Sequence, residues 1–232
     1  MRKKTVQKAF RDSVPVMAGY IFLGMGFGIL LQEKGYSLWW ALVMSATIYA
    51  GSMQFVAVDL LSAGAGLITT ALMTIMINGR HLFYGLSMLG KYADMGRAKP
   101  YLIFALTDET FSIACQDEAT QGVNRRLYYL LLSLFNQFYW VFGSVLGAFI
   151  GHRLTFDSTG IEFSMTALFT VLFLEQWLGA KQRIPAVVGI VVSIVCLLIF
   201  GAGDFVIPAM ITICIALWVL RGVLQKGEAF ND

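Results

Sequence analysis

Charge is scarce in this sequence. Asp, Glu, Lys and Arg make up only 13% of its 232 residues, about half the share found in ordinary soluble domains. Apolar residues make up 58%, and the mean hydropathy is +0.72. A water-soluble fold of this length must show solvent a large part of its area, so it could not hide that much apolar surface. With lipid as the solvent the difficulty disappears. Histidine is scarcer still: His81 and His152 are the only two, too few for a three-histidine metal centre. No metal and no cofactor is expected. The three cysteines, Cys115, Cys196 and Cys214, lie in separate apolar stretches without CxxC spacing. They read as small hydrophobes packed between helices rather than as disulfide or metal ligands. No GxxxxGK[ST] sequence occurs, so ATP is not an energy source within this chain. The net charge of +3 comes without the aromatic–basic interleaving of a nucleic-acid surface, and no nucleic-acid partner is expected.

What is present is a series of apolar runs. A spanning helix needs about 20 such residues. Eight runs qualify, at 14–31, 38–61, 67–89, 100–116, 127–150, 162–178, 185–200 and 204–220. They are continuous rather than alternating with period two, which selects helices over a barrel. The expected fold is an all-α polytopic membrane protein of about eight transmembrane helices. The connections are too short for a soluble domain, so residues 1–232 read as one transmembrane domain. The first run follows a basic start, Met-Arg-Lys-Lys, and no small-x-small cleavage pattern succeeds it. It reads as an uncleaved first span.

Orientation follows from Lys and Arg. With eight spans and a cytoplasmic N-terminus, the inside holds 11 of these residues, among them Lys8, Arg125, Lys181 and Arg221. The outside holds five: Lys34, Lys91, Arg97, Lys99 and Arg153. Both termini are expected in the cytoplasm. A re-entrant segment between 38 and 89 would cut the bias to nine against seven and leave seven spans. A weak internal echo, Asn78/Gly85 against Asn136/Gly143, keeps an internal repeat open as an alternative.

The polar exceptions inside the runs carry the functional signal, because a charge in the membrane interior costs at least ~2.5 kcal/mol. Three stand out. In the second run, Gly51 permits a helix break, and Ser52 and Gln54 could satisfy freed backbone groups. A broken helix would turn N–H groups toward a carboxylate; the competing reading is a Gly/Ser packing face. In the third run, Asn78-Gly79-Arg80-His81 places an arginine that cannot lose its charge, which therefore needs an acid or water unless it snorkels. His81 is a candidate proton relay, or simply a hydrogen-bonded histidine. In the fourth run, Asp108 and Glu109 point about 100° apart on a helix. One could pair with Arg80 while the other meets water or substrate. The competing reading is a loop or helix end at the membrane surface. Asn136-Gln137 and Glu175-Gln176 are weaker candidates. The GxxxG spacings Gly24/Gly28, Gly143/Gly147 and Gly147/Gly151 indicate packing only.

Gly24-Met-Gly-Phe-Gly28, Ala50-Gly-Ser-Met-Gln-Phe55, Asn78-Gly-Arg-His-Leu-Phe-Tyr-Gly85 and Leu106-Thr-Asp-Glu-Thr-Phe111 together resemble the AzlC family, the large subunits of bacterial branched-chain amino-acid exporters. The resemblance covers nearly the whole chain in length and segment order. It implies export of hydrophobic amino acids from a bacterial cell across its inner membrane. It also implies a small, separately encoded AzlD-type membrane subunit as partner.

The residues then suggest a secondary transporter, with proton coupling as the default in the absence of an ATP site. Gly51, Ser52, Gln54, Asn78 and Arg80 are the expected substrate-binding residues. His81, Asp108 and Glu109 are the expected proton-coupling or ion-pairing residues. Two alternatives stay open: an amino-acid-permeable channel, and an intramembrane enzyme using Ser52 and His81 as nucleophile and base. The surroundings of Ser52 lack the G-x-S-x-G elbow of soluble hydrolases, and no catalytic residue is assigned.

Overall fold

The basic start of the chain is helical, not a loop leading into the first span. A computed structural model describes residues 2–153, 170, 173–174, 177–178 and 183–228, and α1 (Arg2–Glu33) takes in the whole leading segment. The run at 162–178 falls largely outside the described residues, and Glu175 and Gln176 fall outside them. The chain divides into two units, Met1–Met165 and Thr166–Asp232.

In the first unit, α1 is followed by α2 (Leu38–Thr47), α3 (Gly51–Ser62), α4 (Leu67–Asn78), α5 (Arg80–Met88), α6 (Lys99–Phe104), α7 (Asp108–Ala114) and α8 (Arg125–Arg153). The second unit holds α9 (Ile184–Asp204), kinked at Gly201, and α10 (Val206–Glu228), which pack on one another. All regular structure among the described residues is helical, as the apolar runs predict. Arg2–Glu33, Arg125–Arg153 and Ile184–Gly201 are each long and apolar enough to cross a membrane.

Three runs that read as single helices are interrupted. The second breaks between α2 and α3, where Tyr49 holds a left-handed φ of 44°, a conformation uncommon outside glycine. The break is held from outside. The Gln137 side-chain amide donates to the Ala46 carbonyl at 3.1 Å, satisfying one acceptor that the interrupted helix leaves over. Gly51 then starts α3 under the Trp140 ring; a Cβ there would lie 3.1 Å from Trp140 Cη2. The third run has a one-residue interruption at Gly79, which keeps helical dihedrals. The fourth breaks at 105–107, where Thr107 is extended and caps α7 by accepting from the Thr110 amide at 3.3 Å.

The scaffold for these broken segments is the pair α1 and α8, the most extensive helix contact among the described residues. The GxxxG spacings lie in that seam. Gly24 and Gly28 meet the backbone of α8 at Gly143, Ser144, Gly147 and Ala148, the close approach that small residues permit. A Cβ on Gly28 would collide with the Ser144 carbonyl, and one on Gly147 with the Met25 carbonyl. Gly26, two residues from each of Gly24 and Gly28, has nothing within 4 Å. Gly28→Val and Gly147→Val are therefore expected to lose folded protein, because backbone on both sides cannot yield and the cost exceeds the ~1–3 kcal/mol of ordinary overpacking. Gly26→Val should elute as a single species at wild-type yield on size exclusion in mild detergent. Equal yields from all three would refute the seam.

Candidate polar centre at the helix breaks

Three helix starts carry polar side chains that meet. Ser52 is the second residue of α3, Arg80 the first of α5 and Asp108 the first of α7. Arg80 Nη1 lies 2.9 Å from Asp108 Oδ2, and Arg80 Nη2 donates to Ser52 Oγ at 3.0 Å. A cation at a helix start opposes the helix dipole, whereas an acid there is favoured. Asp108 therefore offsets an arrangement that α5 alone would not hold.

The contact is single-pointed rather than bidentate. Arg80 Nε and Asp108 Oδ1 are buried without a hydrogen-bond partner among the described residues, and so is Asn78 Oδ1. Buried polar atoms are nearly always partnered, and two of these three unpartnered atoms belong to the ion pair itself.

Glu109 faces elsewhere. Its Oε2 accepts from the Tyr20 hydroxyl at 2.6 Å, and that hydroxyl lies 2.6 Å from Thr107 Oγ1. Thr107 Oγ1 is 3.0 Å from Thr110 Oγ1, which accepts from Asn136 Nδ2 at 3.0 Å. A hydroxyl chain thus runs from α8 through the start of α7 to a carboxylate. Among the described residues no cation makes an ion pair with Glu109; Arg80 pairs with Asp108.

The remaining candidates separate into two groups. Gln54 is fully buried and accepts from Trp140 Nε1 at 2.9 Å, with its own Nε2 unpartnered. Gly51 seats the same indole. These two support the break rather than touch Arg80. His81 stays outside the ion pair: its Nδ1 is 3.1 Å from the Asn78 carbonyl and its ring packs edge-on against Tyr84. No recorded contact among the described residues joins it to Asp108 or Glu109.

Sequence reasoning gave no role to Tyr20, Thr107, Thr110 or Trp140, and ranked Asn136 low. Thr107 and Thr110 flank the Asp-Glu pair, and Thr before two acids is a helix-start signal. Tyr20 carried no local signal beyond one hydroxyl in an apolar run.

The family model for AzlC protein matches residues 15–154, which include every residue of this centre. The chain belongs to the AzlC family. It is 40% identical over 222 residues to the branched-chain amino acid transport protein AzlC of Bacillus subtilis, covering 96% of this chain and 87% of that one. It is 41% identical to an uncharacterized membrane protein of Helicobacter pylori, covering 94% and 97%. It is 30% identical to the inner membrane protein YgaZ of Escherichia coli over 77% of this chain and 74% of that one. No solved structure matches. Membership of the AzlC family, the relatives and the apolar helices together make this a membrane protein.

Proposed function

We propose that this chain is a secondary transporter that exports branched-chain and other hydrophobic amino acids, coupled to the proton gradient and acting with a small AzlD-type membrane subunit. The observation that carries the reading is the convergence of Ser52, Arg80 and Asp108 at helix starts, with buried, unpartnered polar atoms beside them. An amino acid presents a carboxylate and an ammonium. Arg80 Nε and the free N–H groups opening α3 suit the first, and Asp108 Oδ1 and Asn78 Oδ1 suit the second. Discontinuous helices around a site of this kind are a recurrent transporter design. Glu109, apart from the ion pair, takes the proton-coupling role. The name of the Bacillus subtilis relative supports the substrate class.

In this reading α2 with α3, α4 with α5, and α6 with α7 form three interrupted spans. The chain crosses a bacterial inner membrane eight times as one transmembrane domain, with both termini in the cytoplasm. The enzyme alternative is disfavoured by geometry. Ser52 is engaged by Arg80 and His81 by the Asn78 carbonyl, so the nucleophile and base do not meet.

The test is reconstitution in vesicles, with and without the small subunit, measuring valine flux against an imposed pH gradient. Flux that rises with the gradient and needs the subunit is expected. Gradient-independent flux would favour a channel, and absence of amino-acid flux under every condition would overturn the reading.

A further inference from the structure

The seam that joins Tyr20 to Glu109 continues to a second polar site. Tyr20 on α1 meets Glu109 at the start of α7. Earlier on α1, Lys8 and Asp12 line a cavity of about 270 Å³ together with Ile113, Gln116 and Ala119, from α7 and the turn after it. The two helices therefore run antiparallel past each other. From Asp12 to Tyr20 is about 12 Å along α1, and from Gln116 back to Glu109 is a little less, at 1.5 Å per residue.

Lys8 and Asp12 form an ion pair at 3.1 Å, with side chains 32% and 24% exposed. Its geometry does not depend on the pair itself. The Tyr128 hydroxyl donates to Asp12 Oδ2 at 2.6 Å, and Lys8 Nζ lies 5.7 Å from the centre of the Tyr128 ring. One tyrosine thus holds each charge independently. Both bonds to Asp12 converge on Oδ2, and partly exposed pairs of this kind hold each other weakly. A ligand carrying one charge of each sign can replace this weak pair, meeting Lys8 with its anionic group and Asp12 with its cationic one while the Tyr128 hydroxyl still donates to Asp12.

We propose that Lys8 and Asp12 form a loading site for a zwitterionic amino acid, the carboxylate on Lys8 and the ammonium on Asp12, ahead of the site at Arg80 and Asp108. The proposal rests on the transporter reading. It fits the export direction, because the N-terminal end of α1 is the cytoplasmic end in that topology.

The experiment is equilibrium binding of radiolabelled leucine to the full-length protein in lipid nanodiscs, with Asp12→Asn and Lys8→Met as variants. Two leucines per chain are expected for the wild type, falling to one for either variant. Asp108→Asn should also bind one, and combining it with Asp12→Asn should bind none. Thermal melting of each variant checks that the loss is not unfolding. A wild type that binds a single leucine, or two leucines retained by folded Asp12→Asn and Lys8→Met, would overturn the loading site. Valine flux in vesicles from the same preparation separates the two readings: flux with one leucine bound leaves the transporter standing, whereas no flux and no binding removes both.

Discussion

Glu109→Gln is expected to keep amino-acid exchange running while abolishing its response to a pH gradient. The two acids that open α7 have different partners. Asp108 is matched by Arg80 at 2.9 Å; protonating it would strand the guanidinium, which cannot itself lose charge. Glu109 has no such tie. It sits at the end of the chain Asn136–Thr110–Thr107–Tyr20, whose hydroxyls can each turn. With Glu109 ionised, the Tyr20 hydroxyl donates to it. With Glu109 protonated, the carboxyl donates to Tyr20 and the Tyr20 hydroxyl turns to Thr107, which donates to Thr110. Glutamine keeps the size and can still hydrogen-bond, but it cannot release or take up a proton.

The magnitude follows from coupling thermodynamics. If one proton exchanges for one amino acid, each tenfold proton gradient supports a tenfold substrate gradient, about 1.4 kcal/mol. Vesicles with one pH unit imposed should therefore reach about tenfold accumulation with wild type and about onefold with Glu109→Gln, while counterflow of labelled valine continues. Gradient-driven accumulation by Glu109→Gln at the wild-type level would remove Glu109 from coupling. Tyr20→Phe, which cuts the hydroxyl chain without altering the carboxylate, should slow the gradient response and leave its endpoint unchanged.

How much of this was legible in the sequence depends on the range of the interaction. The helical membrane class was, because apolar run length is a local property. The fifth run, 127–150, became α8 at Arg125–Arg153. The break near Gly51 was one of two readings that Gly-Ser-x-Gln left open, the other being a packing face between helices. The sharpest distortion, however, falls at Tyr49, where no residue preference announces it. The contacts flanking it, to Ala46 and Gln54, come from Gln137 and Trp140, which lie about 90 residues away in sequence. Asp108 and Glu109 admitted two readings, a mid-span pair or a helix end. They stand at a helix start inside a run expected to be continuous, so the helix end was real and its surface placement was not the only way to have one. For His81 the sequence left two readings, a proton relay or a hydrogen-bonded histidine, and its Nδ1 lies 3.1 Å from the Asn78 carbonyl. His81 neighbours Arg80 in sequence, but adjacent positions on a helix point about 100° apart, and the face carrying Arg80 is the one that meets α7. Tyr20 was hidden because its role exists only once α1 lies against α7.

Asp108→Asn is expected to reduce valine transport at least 100-fold and to destabilise the protein, and these two effects separate in a double variant. Removing one member of a buried pair leaves the other charge uncompensated, at a cost of about 3–5 kcal/mol. The Arg80 and Asp108 side chains are 29% and 23% exposed, which places the cost at or below the lower end of that range. Among the described residues Arg80 would keep the Ser52 hydroxyl, a neutral group, as its hydrogen-bond acceptor. Arg80→Gln with Asp108→Asn removes both charges together, and replacing a whole pair is often close to neutral. The melting temperature of the double variant should therefore return toward wild type, giving a coupling energy of about 1–3 kcal/mol in the cycle. Transport should not return. A pair that served stability alone would recover flux along with folding. A pair that binds the ammonium and carboxylate of the substrate cannot, because the groups that made the contact are gone. A 100-fold loss corresponds to about 2.7 kcal/mol of lost transition-state stabilisation, within reach of one charge-assisted contact in a low-dielectric site. Wild-type flux from Asp108→Asn, or full recovery in the double variant, would assign Arg80 and Asp108 to the scaffold and return the search for the substrate site to the remaining buried polar atoms around Gln54 and Asn136.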